Sequence, residues 1–196
     1  MSAFGLVLGL VFTGNVVFVH LLGLCPAVSR SRNIGSAFIL GCAVTCASTL
    51  TSGASWALTR FLLAPFGLLA MRGYAVLLVA AAVGSIADRT ARAFLPALHA
   101  SARTGFPIVT ANCAAYGAAL LVSGAADSAL DSLVGGLAAG MGFFLAVVLL
   151  SSIRQRTAVE RVPRALRGAP IVIVSAGLIA MAFMAFDASF LARIAP

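Results

Sequence analysis

Six long apolar runs divided by short polar stretches dominate this chain, at about 3–24, 34–58, 73–87, 104–126, 130–153 and 168–186. The runs are continuously apolar and do not alternate, which argues against a membrane β-barrel. A bilayer core takes about 20 apolar residues per helix, so each run predicts a transmembrane helix. The third run is short, which brings Asp88 and Arg89 close to the hydrocarbon. The first lacks a positive start and is too long for a signal peptide, so it is read as a retained span. The predicted fold is all-α: a polytopic protein with six transmembrane helices in one integral membrane domain, residues 1–196.

Composition strengthens this reading. Hydrophobic residues make up 62% of the chain and charged residues 9%. A soluble domain of this size could not cover so much apolar surface. The net charge of +8 comes from 13 arginines and no lysine. In a soluble protein it would suggest nucleic acid, but here topology explains it and no nucleic-acid partner is expected. Ten arginines fall in the first, third and fifth loops: Arg30 and Arg32; Arg89, Arg92 and Arg103; and Arg154, Arg156, Arg161, Arg164 and Arg167. Only Arg60, Arg72 and Arg193 lie on the other side. The positive-inside rule then puts the arginine-rich loops in the cytoplasm and both termini outside.

The candidate chemistry lies in two cysteines. Leu22-Gly23-Leu24-Cys25-Pro26 ends the first run, and Thr110-Ala111-Asn112-Cys113-Ala114 lies within the fourth. Pro26 cannot extend a helix ladder, and Pro107 opens the second segment. If the chain is two repeats of three spans, about 1–95 and 100–196, the two cysteines occupy equivalent positions. Breaks at matching places in two halves point to a functional site. The alternative is that each thiol is a small buried hydrophobe. The orientation places both in the cytoplasmic half, where they can converge.

Cys42 and Cys46 share one helix face by their spacing. Beside Thr45, Ser48, Thr49, Ser52 and Gly53 they suggest a small-residue packing surface. Four cysteines suffice in principle for one iron–sulfur cluster within the chain, but this pair lies mid-helix with no break beside it. Gly135, Gly136, Gly140 and Gly142 suit close packing in the fifth span. Asp88 reads first as an interfacial ion pair with Arg89, and otherwise as part of an ion path. His20 reads as a hydrogen-bonded helix histidine, Asp127 and Asp131 as solvated residues of an external turn, and Asp131 as a cap for the fifth helix. The basic fifth loop suits anionic lipid or a cytoplasmic partner. There is no phosphate-binding glycine loop, nucleophile–base set or flavin-attachment signature, so independent catalysis is not expected.

Taken together, these residues resemble a known family. FVHLLGLCP at 18–26, PIVTANCAAYG at 107–117, Ile153-Arg154, Val162-Pro163, Leu166-Arg167-Gly168 and SAGLIAMAFMAF at 175–186 resemble the RnfA (RsxA) subunits of Rnf ion-translocating electron-transport complexes. The chain is similar also to the matching NqrE/NqrD subunits of the sodium-pumping NADH:quinone reductase, with Cys25-Pro26 favouring the Rnf side. The resemblance implies an inverted 3+3 repeat with broken first and fourth helices. It implies a homologous six-helix partner (RnfE-like) of opposite topology, with flavin and iron–sulfur proteins as further subunits. Between the two homologues it implies an intramembrane [2Fe–2S] cluster held by two cysteines from each, here matched by Cys25 and Cys113. It also implies coupling to Na+ or H+ transport in a bacterial inner membrane, with both termini periplasmic. The chain departs from the family pattern at Gly14, where a second asparagine is usual, and at His20 and Ala111, which replace a lysine and a threonine. Asp88 stands where a glutamate often ends the third span. The competing readings are a small secondary transporter with an inverted repeat, and a scaffold without a cluster.

Overall fold

The structure, a computed structural model, describes residue 7 and residues 9–24, 34–94, 113–159 and 168–194. Five α-helices carry the fold: α1 (Ile34–Leu58), α2 (Arg72–Phe94), α3 (Cys113–Ala125), α4 (Ala129–Val159) and α5 (Ala169–Ile194). No strand occurs among the described residues. Three helical stretches are long and apolar enough to cross a membrane: Ile34–Leu63, Leu69–Thr90 and Ala129–Thr157. Cys113–Ala125 and Pro170–Met184 are shorter apolar helices.

Local chemistry explains the ends. α1 runs into a π-helical turn, Thr59–Leu63, and stops before Pro65, whose ring cannot continue the ladder. Gly67, at φ 66°, reverses the chain toward α2. At the start of α4 the sequence reading is corrected: the cap is Ser128 rather than Asp131. Ser128 Oγ accepts from the Asp131 N–H at 3.1 Å and donates to Asp131 Oδ2 at 2.7 Å. Ser128 thus caps the helix through its hydroxyl, and the Asp131 carboxylate holds that hydroxyl in place. Asp127 and Asp131 are both exposed, as a solvated turn requires. α5 begins after Gly168, at φ 98°, and carries Pro170 in its first turn, where no intrahelical donor is needed.

α1 and α4 form the centre and run antiparallel. Ser48 Oγ donates to the Gly136 carbonyl at 3.0 Å, and Ser132 Oγ donates to the Ser52 carbonyl at 2.9 Å. Only glycine fits here. A methyl group on Gly136 would come 2.7 Å from Ser52 Cβ, and one on Gly140 would come 2.6 Å from Thr45 Cα. The expected packing role of these glycines holds, and the surface they meet is Thr45, Ser48 and Ser52. Cys42 and Cys46 lie elsewhere: both are exposed on α1, off the face that meets α4. At 100° per residue their stripe cannot coincide with that of Gly41, Val44 and Ser48, which is buried.

Beside this pair, the core gathers Val16, Val17 and Phe18 from the first apolar run. They pack with Val44, Ala114, Ala118, Ala139, Phe143, Val147 and Val172. Phe18 also meets Phe183 of α5, with ring centroids 4.9 Å apart.

Candidate functional site at Gly23 and Cys113

The first apolar run is not a continuous α-helix in its described part. Gly9–Thr13 form a π-helical turn, and residues 14–23 follow as turns. Such a backbone frees polar groups that need partners in an apolar interior. Asn15, fully buried, supplies four of them. Its Nδ2 donates to the carbonyls of Val11 at 2.9 Å and Gly142 at 3.0 Å. Its Oδ1 accepts from Val17 N–H at 3.0 Å and Phe18 N–H at 3.4 Å. One amide thus organises the turn and fastens it to α4. The sequence marks this place only through Gly14, which departs from the family pattern beside it. The signal available was an amide inside an apolar run, which must find partners wherever it is buried.

Beyond Asn15 the chain reverses through Leu21, at φ 55°, and Gly23, at φ 85°. A leucine in this left-handed region costs roughly 1–2 kcal/mol. Gly23 then meets the start of α3, and its N–H donates to Cys113 Sγ at 3.0 Å. A methyl group on Gly23 would come 2.7 Å from the Phe143 ring and 2.8 Å from Ala114 Cβ. One turn further along α3, Leu22 lies against Gly117. The two cysteine-bearing segments of the sequence therefore meet, with Gly23 on one and Cys113 on the other.

Cys113 is half-buried and is the first described residue of α3. Phe143, which closes over Gly23, lies at the middle of α4. Cys25, Pro26, Pro107 and Asn112 lie outside the described residues. Among the described residues no three His, Cys, Asp or Glu side chains gather, so Cys42 and Cys46 do not join Cys113.

The remaining candidates are placed apart. Asp88 is half-buried near the end of α2, and Arg89 is exposed. Consecutive helix positions face different ways, which does not favour their direct pairing. His20 lies in a bend rather than a helix and is exposed. At the start of α2, Arg72 donates to the Leu120 carbonyl, and its guanidinium lies over Gly124 near the end of α3. A cation there complements the helix C-terminus. Trp56 Nε1 donates to the Ala126 carbonyl at 3.2 Å at the same end of the bundle, the interfacial placement that suits tryptophan in membranes.

Long apolar helices around a buried, amide-pinned turn that meets a thiol define a class: a helical integral membrane protein with a polar site inside the bundle. The family described as Rnf-Nqr subunit, membrane protein, matches residues 3–189, and the chain belongs to that family. Proteins named as the A component of an ion-translocating oxidoreductase complex are similar along most of their length. That of Edwardsiella ictaluri is 39% identical over 182 residues, covering 93% of this chain and 94% of its own. Those of Yersinia enterocolitica and Serratia proteamaculans are each 39% identical over 181 residues, covering 92% of this chain and 94% of theirs.

Proposed function

We propose that this chain is an electron-relay subunit of an ion-translocating oxidoreductase complex, holding half of an intramembrane [2Fe–2S] cluster through Cys25 and Cys113. The observation that carries this reading is the Gly23 N–H to Cys113 Sγ bond. It ties the segment that leads into Cys25 to the other candidate ligand across 90 residues of chain. The residues fit such a group. Cys113 is a half-buried thiol with a backbone donor on its sulfur, and backbone donors to ligand sulfurs are among the features that tune iron–sulfur centres. When bound, the cluster supplies one-electron transfer. The chain's part is to present two thiolates, fix one through Gly23, and seal the site with Phe143 and Ala114.

The remaining two ligands come from a homologous six-helix subunit of opposite topology, while flavin and iron–sulfur partners carry the nicotinamide and flavin chemistry. In this reading the chain forms six spans as an inverted 3+3 repeat, its first and fourth helices broken near the cysteines, and the complex couples electron flow to Na+ or H+ transport. The protein lies in the bacterial inner membrane with both termini periplasmic. Reporter fusions at Pro196 are then expected to behave as periplasmic, and fusions near Arg161 as cytoplasmic. The reverse pattern would overturn the orientation.

Asp88 is assigned to a local ion pair, with a place on an ion path as its competing role. Asp88→Asn is expected to leave both the cluster and ion uptake by vesicles near wild type. Loss of uptake with an intact cluster would assign Asp88 to the path instead.

The reading as a whole is tested by anaerobic purification of the assembled complex. An iron–sulfur subunit pair is expected to be brown, with bound iron and acid-labile sulfide that fall in a Cys113→Ser variant. A colourless preparation without iron would favour a secondary transporter or a cluster-free scaffold.

A further inference from the structure

Most hydroxyls in these helices satisfy themselves by bonding the carbonyl three or four residues back, as membrane helices favour. Thr45, Thr49, Thr51, Thr59, Ser85, Thr90 and Ser175 all do so, with oxygens 2.7–2.8 Å from the acceptor. Ser151 Oγ on α4 departs from this rule singly, and one layer departs from it as a group. The Oγ atoms of Ser52 and Ser55 on α1 and of Ser123 on α3 are buried without a partner among the described residues, and so is Arg72 Nε. Ser52 and Ser55 are 0% exposed and Ser123 5%.

Contacts place these groups at one height. Ser132 of α4 donates to the Ser52 carbonyl. Val122, next to Ser123, packs on Gly135 of α4. The Arg72 guanidinium covers Gly124, on the other side of Ser123. Trp56, next to Ser55, reaches the carbonyl that follows α3.

A buried hydroxyl without a partner is costly, more so where lipid leaves no bulk solvent to compensate. A single kind of occupant that both donates and accepts would satisfy three hydroxyls and one guanidinium N–H at this height. We propose that this layer is a hydrated site, in which ordered water bridges Ser52, Ser55 and Ser123 and accepts from Arg72 Nε. The donor set selects water over a metal cation. The four groups are three neutral hydroxyls and one cationic guanidinium, whose charge repels Na+. Interior water of this kind bonds otherwise unsatisfied polar groups and belongs to the fold. The inference does not depend on the cluster.

The sign of a stability change tests it. Ser52→Ala, Ser55→Ala and Ser123→Ala are made singly in the assembled complex, with Ser175→Ala as the back-bonded control. Aggregation temperature is followed by fluorescence-detected gel filtration in sodium and in choline buffers. Each layer variant is expected to melt lower than wild type, by roughly 2–4 °C, and lower than the control, because each loses a water-mediated bond. Sodium and choline are expected to give the same shifts. Variants as stable as wild type or more so would show that the hydroxyls have no occupant, since removing an unsatisfied buried polar group relieves its desolvation cost. Stabilisation of wild type by sodium that is lost in Ser52→Ala would show a cation there. Either result overturns the proposal.

Discussion

Replacing Cys113 by serine is expected to abolish the iron–sulfur signal of the assembled complex while leaving the protein in the membrane. Thiolate ligation needs all four sulfurs, and a cluster short of one is labile. Cys25→Ser is expected to have the same effect. Structurally the Cys113 exchange is mild, since serine is smaller and its oxygen can still accept from Gly23, so the fold is expected to survive. Cys42→Ser and Cys46→Ser serve as controls. Both thiols are exposed on α1, and neither joins Cys113. Anaerobic electron paramagnetic resonance of reduced complexes distinguishes the two groups of variants. A signal that survives in Cys113→Ser, or that disappears equally in Cys42→Ser, would remove Cys113 from its assigned role.

Asn15→Ala is expected to cause the largest loss of stability of any single change outside the cysteines. The side chain makes four hydrogen bonds, all buried, and its two acceptors lie on different segments. Alanine would leave two carbonyls and two backbone N–H groups to find other partners where water is scarce. A buried group left unsatisfied costs about 1–3 kcal/mol, so the total is roughly 3–5 kcal/mol after partial relaxation. The turn at 14–23 also delivers Gly23 to Cys113. The variant is therefore expected to lower the yield of assembled complex and, in what assembles, to broaden or shift the cluster spectrum. Thermal unfolding and spectroscopy on the same preparation check both. A variant as stable as wild type with an unchanged spectrum would show that the turn holds without the amide.

Particular residues show how far the sequence carries. The second run reads as 34–58, and α1 spans Ile34–Leu58, because uninterrupted apolarity and helix propensity agree there. Gly136 and Gly140 are legible as packing positions because glycine in an apolar helix has few other uses. The expectation that the two cysteine-bearing segments converge rests on reading the chain as two repeats, and the Gly23–Cys113 bond does bring those segments together. Pro26 is the cue for a break in the first run, yet the turns begin at Gly14, well upstream, where Asn15 rather than proline chemistry organises them. That arrangement depends on the Gly142 carbonyl, 127 residues away in the chain, and no local pattern encodes such a partner. Among the described residues Cys42 and Cys46 are exposed rather than covered by a neighbouring helix, for a related reason. Spacing says which residues share a helix face, but only the neighbouring helices say which face is covered.

The most direct measurement compares iron and electron paramagnetic resonance in the anaerobically purified complex and in this chain purified by itself. Shared ligation expects about one two-iron cluster per assembled pair, with a rhombic signal on reduction, and no stable cluster in the isolated chain. A stoichiometric cluster retained by the isolated chain would contradict the account, because all the ligands would then come from this chain.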